Sequence, residues 1–164
     1  LHYSSNYMIV GTIATIGLLY FQYQQHRHHV ILANLRSTNT KSTSSYSVPM
    51  GGWFEYVSCP HYFSEMMIYL MFAILLENAP TFSRSGTRAW VALWHEQLNI
   101  SIPHRRDLSG EVFIFMLLRL KHWVLWWWVV TNLSISAMRT HDWYLDSFGA
   151  TYPQQRKRLI PFLW

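Results

Sequence analysis

From Tyr7 to Tyr23 the chain reads YMIVGTIATIGLLYFQY, an uncharged run with tyrosines at both ends. As a helix it rises about 25 Å, close to the thickness of a hydrocarbon core, and places those tyrosines at the two interfaces. The QQHRHHVILANLR that follows is mixed, and STNTKSTSSYS is a polar connection. A second apolar run, MMIYLMFAILL at 66–76, is preceded by VPMGGWFEYVSCPHYFSE. Within it Ser58-Cys59-Pro60 predicts a helix start, because proline in the first turn gives up an N–H that has no partner there anyway. The helix is expected over Pro60–Leu76, with His61 and Glu65 on one face, and a carboxylate at that depth is costly unless it is paired or faces a polar cavity. Residues 77–110 are rich in charge, Pro, Ser and Gly and predict no span. Apolar character returns at VFIFMLL (112–118), is interrupted by Arg119, Lys121 and His122, and resumes as the stronger run WVLWWWVVTNLSISAM (123–138). The closing RTHDWYLDSFGATYPQQRKRLIPFLW is aromatic and basic, too short and charged to span. The pattern predicts an all-α fold, a polytopic membrane helical bundle with about three to four transmembrane helices.

Composition strengthens the membrane reading. The chain is 51% hydrophobic and only 13% charged, and that charged share is about half the share of a soluble domain. Its excess of basic groups, 13 Lys plus Arg against 8 Asp plus Glu, suits an anionic partner. In so apolar a chain that partner is lipid or a phosphorylated cofactor rather than nucleic acid. Cys59 is the only cysteine, which excludes an intramolecular disulfide and a thiolate zinc site. His26, His28 and His29 spread around a helix and read as interface residues, so no metal site is expected. The chain begins Leu-His-Tyr without a charged leader, and is expected to be the C-terminal piece of a longer protein.

Two stretches carry more than composition. YSVPMGGWFEYVSCPHYFSE at 46–65 and THDWYLDSFGATYPQQRKRLIPF at 140–162 resemble the paired signatures of the steroid 5-alpha-reductase family. That family is multi-span, uses NADPH and reduces activated carbon–carbon double bonds. The wording is most similar to its polyprenol (polyprenal) reductase branch, which acts in dolichol synthesis at the endoplasmic reticulum. Steroid-reducing members tend to have Asn where this chain has His61, and HHVILANLR at 28–36 is also similar to that branch. The resemblance implies that residues 1–164 are the C-terminal part of a single membrane reductase domain, with an insertion at 78–119. It implies a multi-pass protein of the endoplasmic reticulum membrane, a polyisoprenoid lipid substrate and NADPH as cofactor. Cofactor contacts fall on Arg36, Tyr46, His61, Glu65, His141, Tyr144 and Arg156, while the substrate-engaging catalytic groups belong to early spans this chain lacks. Arg36 and Arg156 have the bidentate fork that phosphate oxygens fit, and Gly51-Gly52 lets backbone approach a ligand closely. No G-x-G-x-x-G is present, so this cofactor mode is not a Rossmann one.

Blander readings accompany each feature. His61 and Glu65 pair within their helix, Arg156 to Arg158 anchor the chain at a cytoplasmic face, Gly51-Gly52 is a turn, Cys59 is a packed small residue, and Trp126 to Trp128 face lipid. The competing functions are reduction of a steroid enone, a membrane methyltransferase acting on prenylated cysteine, and a truncated inactive membrane protein or subunit. His61 in place of Asn argues against the first, and the missing Arg-His-Pro-type motif against the second.

Overall fold

No proline interrupts residues 2–39, and Gly11 and Gly17 each cost a helix only about 1 kcal/mol. A single helix, α1 (His2–Asn39), therefore forms, 38 residues long and rising about 57 Å. It continues well beyond the apolar run at 7–23, since the Gln, His and Leu-rich stretch that follows carries no breaker. In the computed structural model, residues 2–39, 46–78 and 108–161 are described. Among these residues two further helices follow, α2 (Pro60–Asn78) and α3 (Leu108–Phe148), with short 3-10 turns at Gly52–Glu55 and Gly149–Thr151. Among the described residues there is no strand, only one isolated parallel bridge between Val57 and Lys157.

The helix start at Pro60 is where the sequence places it, and α2 runs two residues past the predicted end to Asn78, whose amide bonds back to the Ile74 carbonyl at 2.7 Å. The two apolar runs expected to be separate in the third region form one helix of 41 residues. Charged and imidazole side chains interrupt hydropathy but not helical hydrogen bonding, so residues 119–122 pass through as ordinary turns. Residues 108–119 thus belong to α3, whereas 79–107 lie outside the described residues.

The all-α expectation stands, but no helix among the described residues is long and apolar enough to cross a membrane. Thr, Gly and Gln dilute α1, and His61, Ser64 and Glu65 dilute the start of α2. Even so, large apolar side chains remain uncovered: Ile9, Ile13, Ile16 and Tyr20 at helical spacing along α1, and Val124, Trp127 and Trp128 on α3. Contiguous apolar surface of this kind marks contact with something other than water.

α1 packs along α2, with Gly17 against Met71: a Cβ there would stand 2.8 Å from the Met71 sulfur. α3 is tied to α2 by the Trp126 indole, which donates to the Met66 carbonyl at 3.1 Å, and by His122 against Glu77 at 3.1 Å. Between them Cys59, Met66, Val129, Ala137 and Leu159 form a buried cluster.

His28, expected at an interface, is instead buried on α1, its ring against Trp53 and Phe54 and its Nδ1 3.5 Å from the Ser64 hydroxyl. Burial, helped by the positive charge of Arg27 and by His29, lowers its pKa from 6.5 to about 4. The unfolded chain therefore binds a proton that the folded chain refuses between those values. His28 leaves stability intact above pH 6.5 and costs about 3 kcal/mol once pH has fallen through about 4. Unfolding measured from pH 7 to 4 should show this acid loss, and His28→Gln should remove the share of it that His28 carries.

Candidate functional site

A sharp turn opens the loop before α2. Gly51 (φ 94°) and Gly52 (φ 58°) both occupy left-handed backbone that a side chain would strain, and the Gly51 N–H donates to a Glu55 carboxylate oxygen at 2.6 Å. The 3-10 turn that follows buries Phe54 completely. At the other end of the chain, Gly149 (φ 49°) terminates α3 in the usual left-handed manner and sends the tail back along the loop. Loop and tail join as a short parallel pair: the Ser58 N–H donates to the Lys157 carbonyl and the Lys157 N–H to the Tyr56 carbonyl, both at 2.9 Å.

Side chains condense around this junction. Ser58 Oγ lies 2.6 Å from His141 Nδ1, 2.6 Å from the Tyr152 hydroxyl and 3.2 Å from the Lys157 carbonyl. Tyr152 stacks on Tyr144 with centroids 5.3 Å apart and rings 7° from parallel. On its ring rides Arg156, 5.4 Å from the centroid, where the cation meets the negative aromatic face. Arg156 donates from Nη1 to the Pro49 carbonyl at 2.9 Å and from Nη2 to the Met50 thioether at 2.7 Å, while its buried Nε has no partner. Its side chain is only 3% exposed, yet among the described residues no carboxylate pairs with it. The exposed Asp142 instead takes Arg158 at 3.6 Å. A buried guanidinium held by a carbonyl, a weak sulfur acceptor and a ring is short of negative charge.

Electrostatics keeps the remaining groups neutral. Burial, reinforced by the Arg158 charge and opposed by Asp142, lowers the His141 pKa. Burial also pushes the Tyr144 hydroxyl up to about 12, helped by Cys59 and Tyr152 and resisted by Arg156, so it remains a donor at neutral pH. Cys59, fully buried, is pushed to about 12 by burial against a weak hydrogen bond from Thr140, and is an inert packed thiol.

Of the residues implicated by the sequence, His141, Tyr144 and Arg156 meet around Tyr152, and Tyr46 joins their edge through a ring contact with Trp143 at 5.4 Å. His61 and Glu65 stand on α2. His61 turns toward α1, its ring 5.6 Å from His29 and 6.3 Å from Phe54, with Nδ1 buried and unbonded. Glu65 is half-buried and forms no ion pair with His61, so the simple intrahelical pairing does not occur. Arg36 lies in α1, and its side chain is outside the described residues. Arg156 is too buried to be a surface anchor, unlike the exposed Lys157 beside it. Among the described residues no three His, Cys, Asp or Glu side chains gather to hold a metal ion.

Sequence reasoning missed Ser58 and Tyr152. Ser58 read only as part of a helix start, and its partners lie 83 and 94 residues away. Tyr152 stands inside the C-terminal signature, but nothing local distinguishes a tyrosine that carries an arginine from one that merely packs.

On this helical scaffold a glycine-turned loop and a returning tail together enclose a buried arginine and neutral hydrogen-bonding groups. The chain belongs to the 3-oxo-5-alpha-steroid 4-dehydrogenase family, whose profile matches residues 2–84 and 100–164. It is 32% identical to polyprenal reductase 1 of Oryza sativa subsp. indica over 92% of this chain and 31% of that protein. Polyprenal reductase of Xenopus tropicalis is 31% identical over 85% of this chain and 33% of its own length, and that of Homo sapiens 29% over 91% and 36%. The chain therefore spans about a third of the length of the curated relatives it matches.

Proposed function

We propose that this chain supplies the cofactor-handling loop and tail of a membrane-embedded, NADPH-dependent reductase of the endoplasmic reticulum. The reaction is saturation of the α-isoprene double bond of polyprenal or polyprenol in dolichol synthesis, which supports protein N-glycosylation. The observation that carries the cofactor half of this reading is Arg156, a buried guanidinium with an unbonded Nε and, among the described residues, no carboxylate partner. A phosphate oxygen offers what its present partners lack, since charge-assisted hydrogen bonds to Arg are about twice as strong as neutral ones. The substrate half rests on the relatives, which are named polyprenal reductases. The uncovered apolar faces of α1 and α3 support membrane embedding.

The residues present fit the cofactor. Arg156 would hold phosphate oxygens and Tyr144 would donate its un-ionised hydroxyl, with Tyr46 at the rim; Arg36, which the resemblance also implies, belongs to α1. On α2, His61 turns its ring to Phe54 of the same loop, and Glu65, one turn further on, would offer an acceptor. When bound, NADPH supplies a hydride to an electron-poor carbon. An enal fits this chemistry better than an isolated allylic alcohol, because its carbonyl accepts the charge that develops. The protein's part is to fix the geometry and to exclude water from the loop–tail junction.

Expression of the protein at its native length in microsomes lacking endogenous reductase tests the reading. Polyprenal should be saturated with NADPH faster than polyprenol and far faster than a steroid enone, and Glu65→Ala should lower the rate at least about tenfold while the protein still inserts. Preferred reduction of the enone would overturn the substrate class, and an unchanged Glu65→Ala rate would remove Glu65 from the site.

A further inference from the structure

Met50 sits on the loop between the buried Pro49 and Gly51, whose left-handed backbone begins the turn. Its side chain is 55% exposed, yet its sulfur reaches inward to Arg156 and lies 2.7 Å from Nη2. Arg156 is 3% exposed, with Nε unbonded and Nη1 on the Pro49 carbonyl. A thioether is a weak acceptor, so this contact leaves the guanidinium short of negative charge. Met50 is therefore open to a small solute on one side and in contact with a buried cation on the other. Met8, Met116 and Met138 are also exposed, but among the described residues only the Met50 sulfur meets a cation.

We propose that Met50 is a redox-modification site, at which a hydroperoxide oxidises the thioether to the sulfoxide and thereby lowers the affinity of the loop–tail junction for the phosphate groups of the cofactor. The sulfur gives up two electrons as an S–O bond forms and the peroxide O–O bond breaks. The other peroxide oxygen leaves as water or an alcohol, taking up the proton of the oxygen transferred. The sulfoxide oxygen carries a partial negative charge that the thioether lacked, and it turns to Nη2 while the exposed side chain draws back by the length of the new bond. Arg156 then has in the empty site the acceptor that a phosphate oxygen would otherwise bring, so the cofactor gains less on arriving. The same oxygen repels the incoming phosphate. Two thiols reverse the step, returning the sulfoxide to thioether and water as they join in a disulfide, the reaction of methionine sulfoxide reductases. The effect on the cofactor rests on the reading of Arg156 as its phosphate ligand, whereas the modification and its effect on Arg156 do not.

Native-length protein in lipid nanodiscs is treated with hydrogen peroxide alongside Met50→Leu, and both are followed by peptide mass spectrometry, thermal unfolding without cofactor, and titration with NADPH. The Met50 peptide of the native protein should gain one oxygen. Treatment should lower the NADPH affinity of the native protein by about tenfold and leave that of Met50→Leu at its own untreated value. Without cofactor, treatment should shift the unfolding temperature more favourably in the native protein than in Met50→Leu, which shares every other oxidisable residue. Met50→Gln, whose amide oxygen stands in for the sulfoxide, should bind NADPH about tenfold more weakly than the native protein without any peroxide. Sulfoxide reductase with a thiol should restore the treated native protein. A Met50 left unoxidised, equal losses of affinity in the native protein and Met50→Leu, or native affinity in Met50→Gln would overturn the proposal. If Met50→Leu does not fold, Met50→Gln and the reductase reversal decide it. If the untreated native protein does not bind NADPH, the cofactor reading falls, and the unfolding difference alone decides whether oxidised Met50 engages Arg156.

Discussion

Arg156→Gln is expected to weaken NADPH binding by about a hundredfold while leaving the apoprotein as stable as the native one, or slightly more so. Both directions follow from one feature. The guanidinium is buried with two bonded partners, Pro49 O and Met50 Sδ, and no carboxylate among the described residues. Its charge is a burden on the empty fold and an asset only when an anion arrives. Glutamine retains a donor for the Pro49 carbonyl, so the strut between tail and loop survives. Arg156→Lys keeps the charge but loses the planar fork and the ring contact, and should lose about tenfold in affinity. Fluorescence titration with NADPH and thermal unfolding of the apoprotein read the two effects separately. A large drop in stability with unchanged affinity would make Arg156 a structural strut alone.

Tyr152→Ala should produce the largest change in stability. Tyr152 is 1% exposed; its hydroxyl bonds Ser58, its ring stacks on Tyr144, and Arg156 lies on it. Truncating a buried aromatic costs about 3–5 kcal/mol, and here the loss falls on the contact that holds the tail down. Leu159 of that tail helps cover Cys59, whose thiol is fully buried, so alkylation of Cys59 reports tail opening. The alkylation rate, followed at Cys59 by mass spectrometry, should rise about a hundredfold or more in Tyr152→Ala and about tenfold in Tyr152→Phe. Equal rates for the two variants would show that the hydroxyl, not the ring, secures the tail.

Particular residues show why part of this architecture was legible in the chain. Pro60 announced α2 because proline's missing N–H is free of cost only in a first turn. Gly51 and Gly52 marked a turn, and both indeed take positive φ. The extents of α1 and α3 were harder to read, since Gln24, His28 and His122 break hydropathy but not helix. Hydropathy alone gave transmembrane runs that, among the described residues, fall short of a crossing. Within the site, the C-terminal signature pointed to His141, Tyr144 and Arg156, which the fold does gather. The grouping itself was not legible: Ser58 meets His141 and Tyr152 only because the tail pairs with the loop through Val57 and Lys157. A single parallel bridge leaves no periodic trace in sequence. The pairing of His61 with Glu65, plausible from four-residue spacing, yields to packing of His61 toward α1 and Phe54.

Amide hydrogen exchange of the native-length protein with and without NADPH tests most directly that the loop–tail junction is the cofactor wall. The Ser58 and Lys157 N–H groups, which form the bridge at 2.9 Å, should slow markedly when NADPH is added, as should that of Arg156. Protection confined to residues elsewhere in the chain, with this junction exchanging at its cofactor-free rate, would contradict the account.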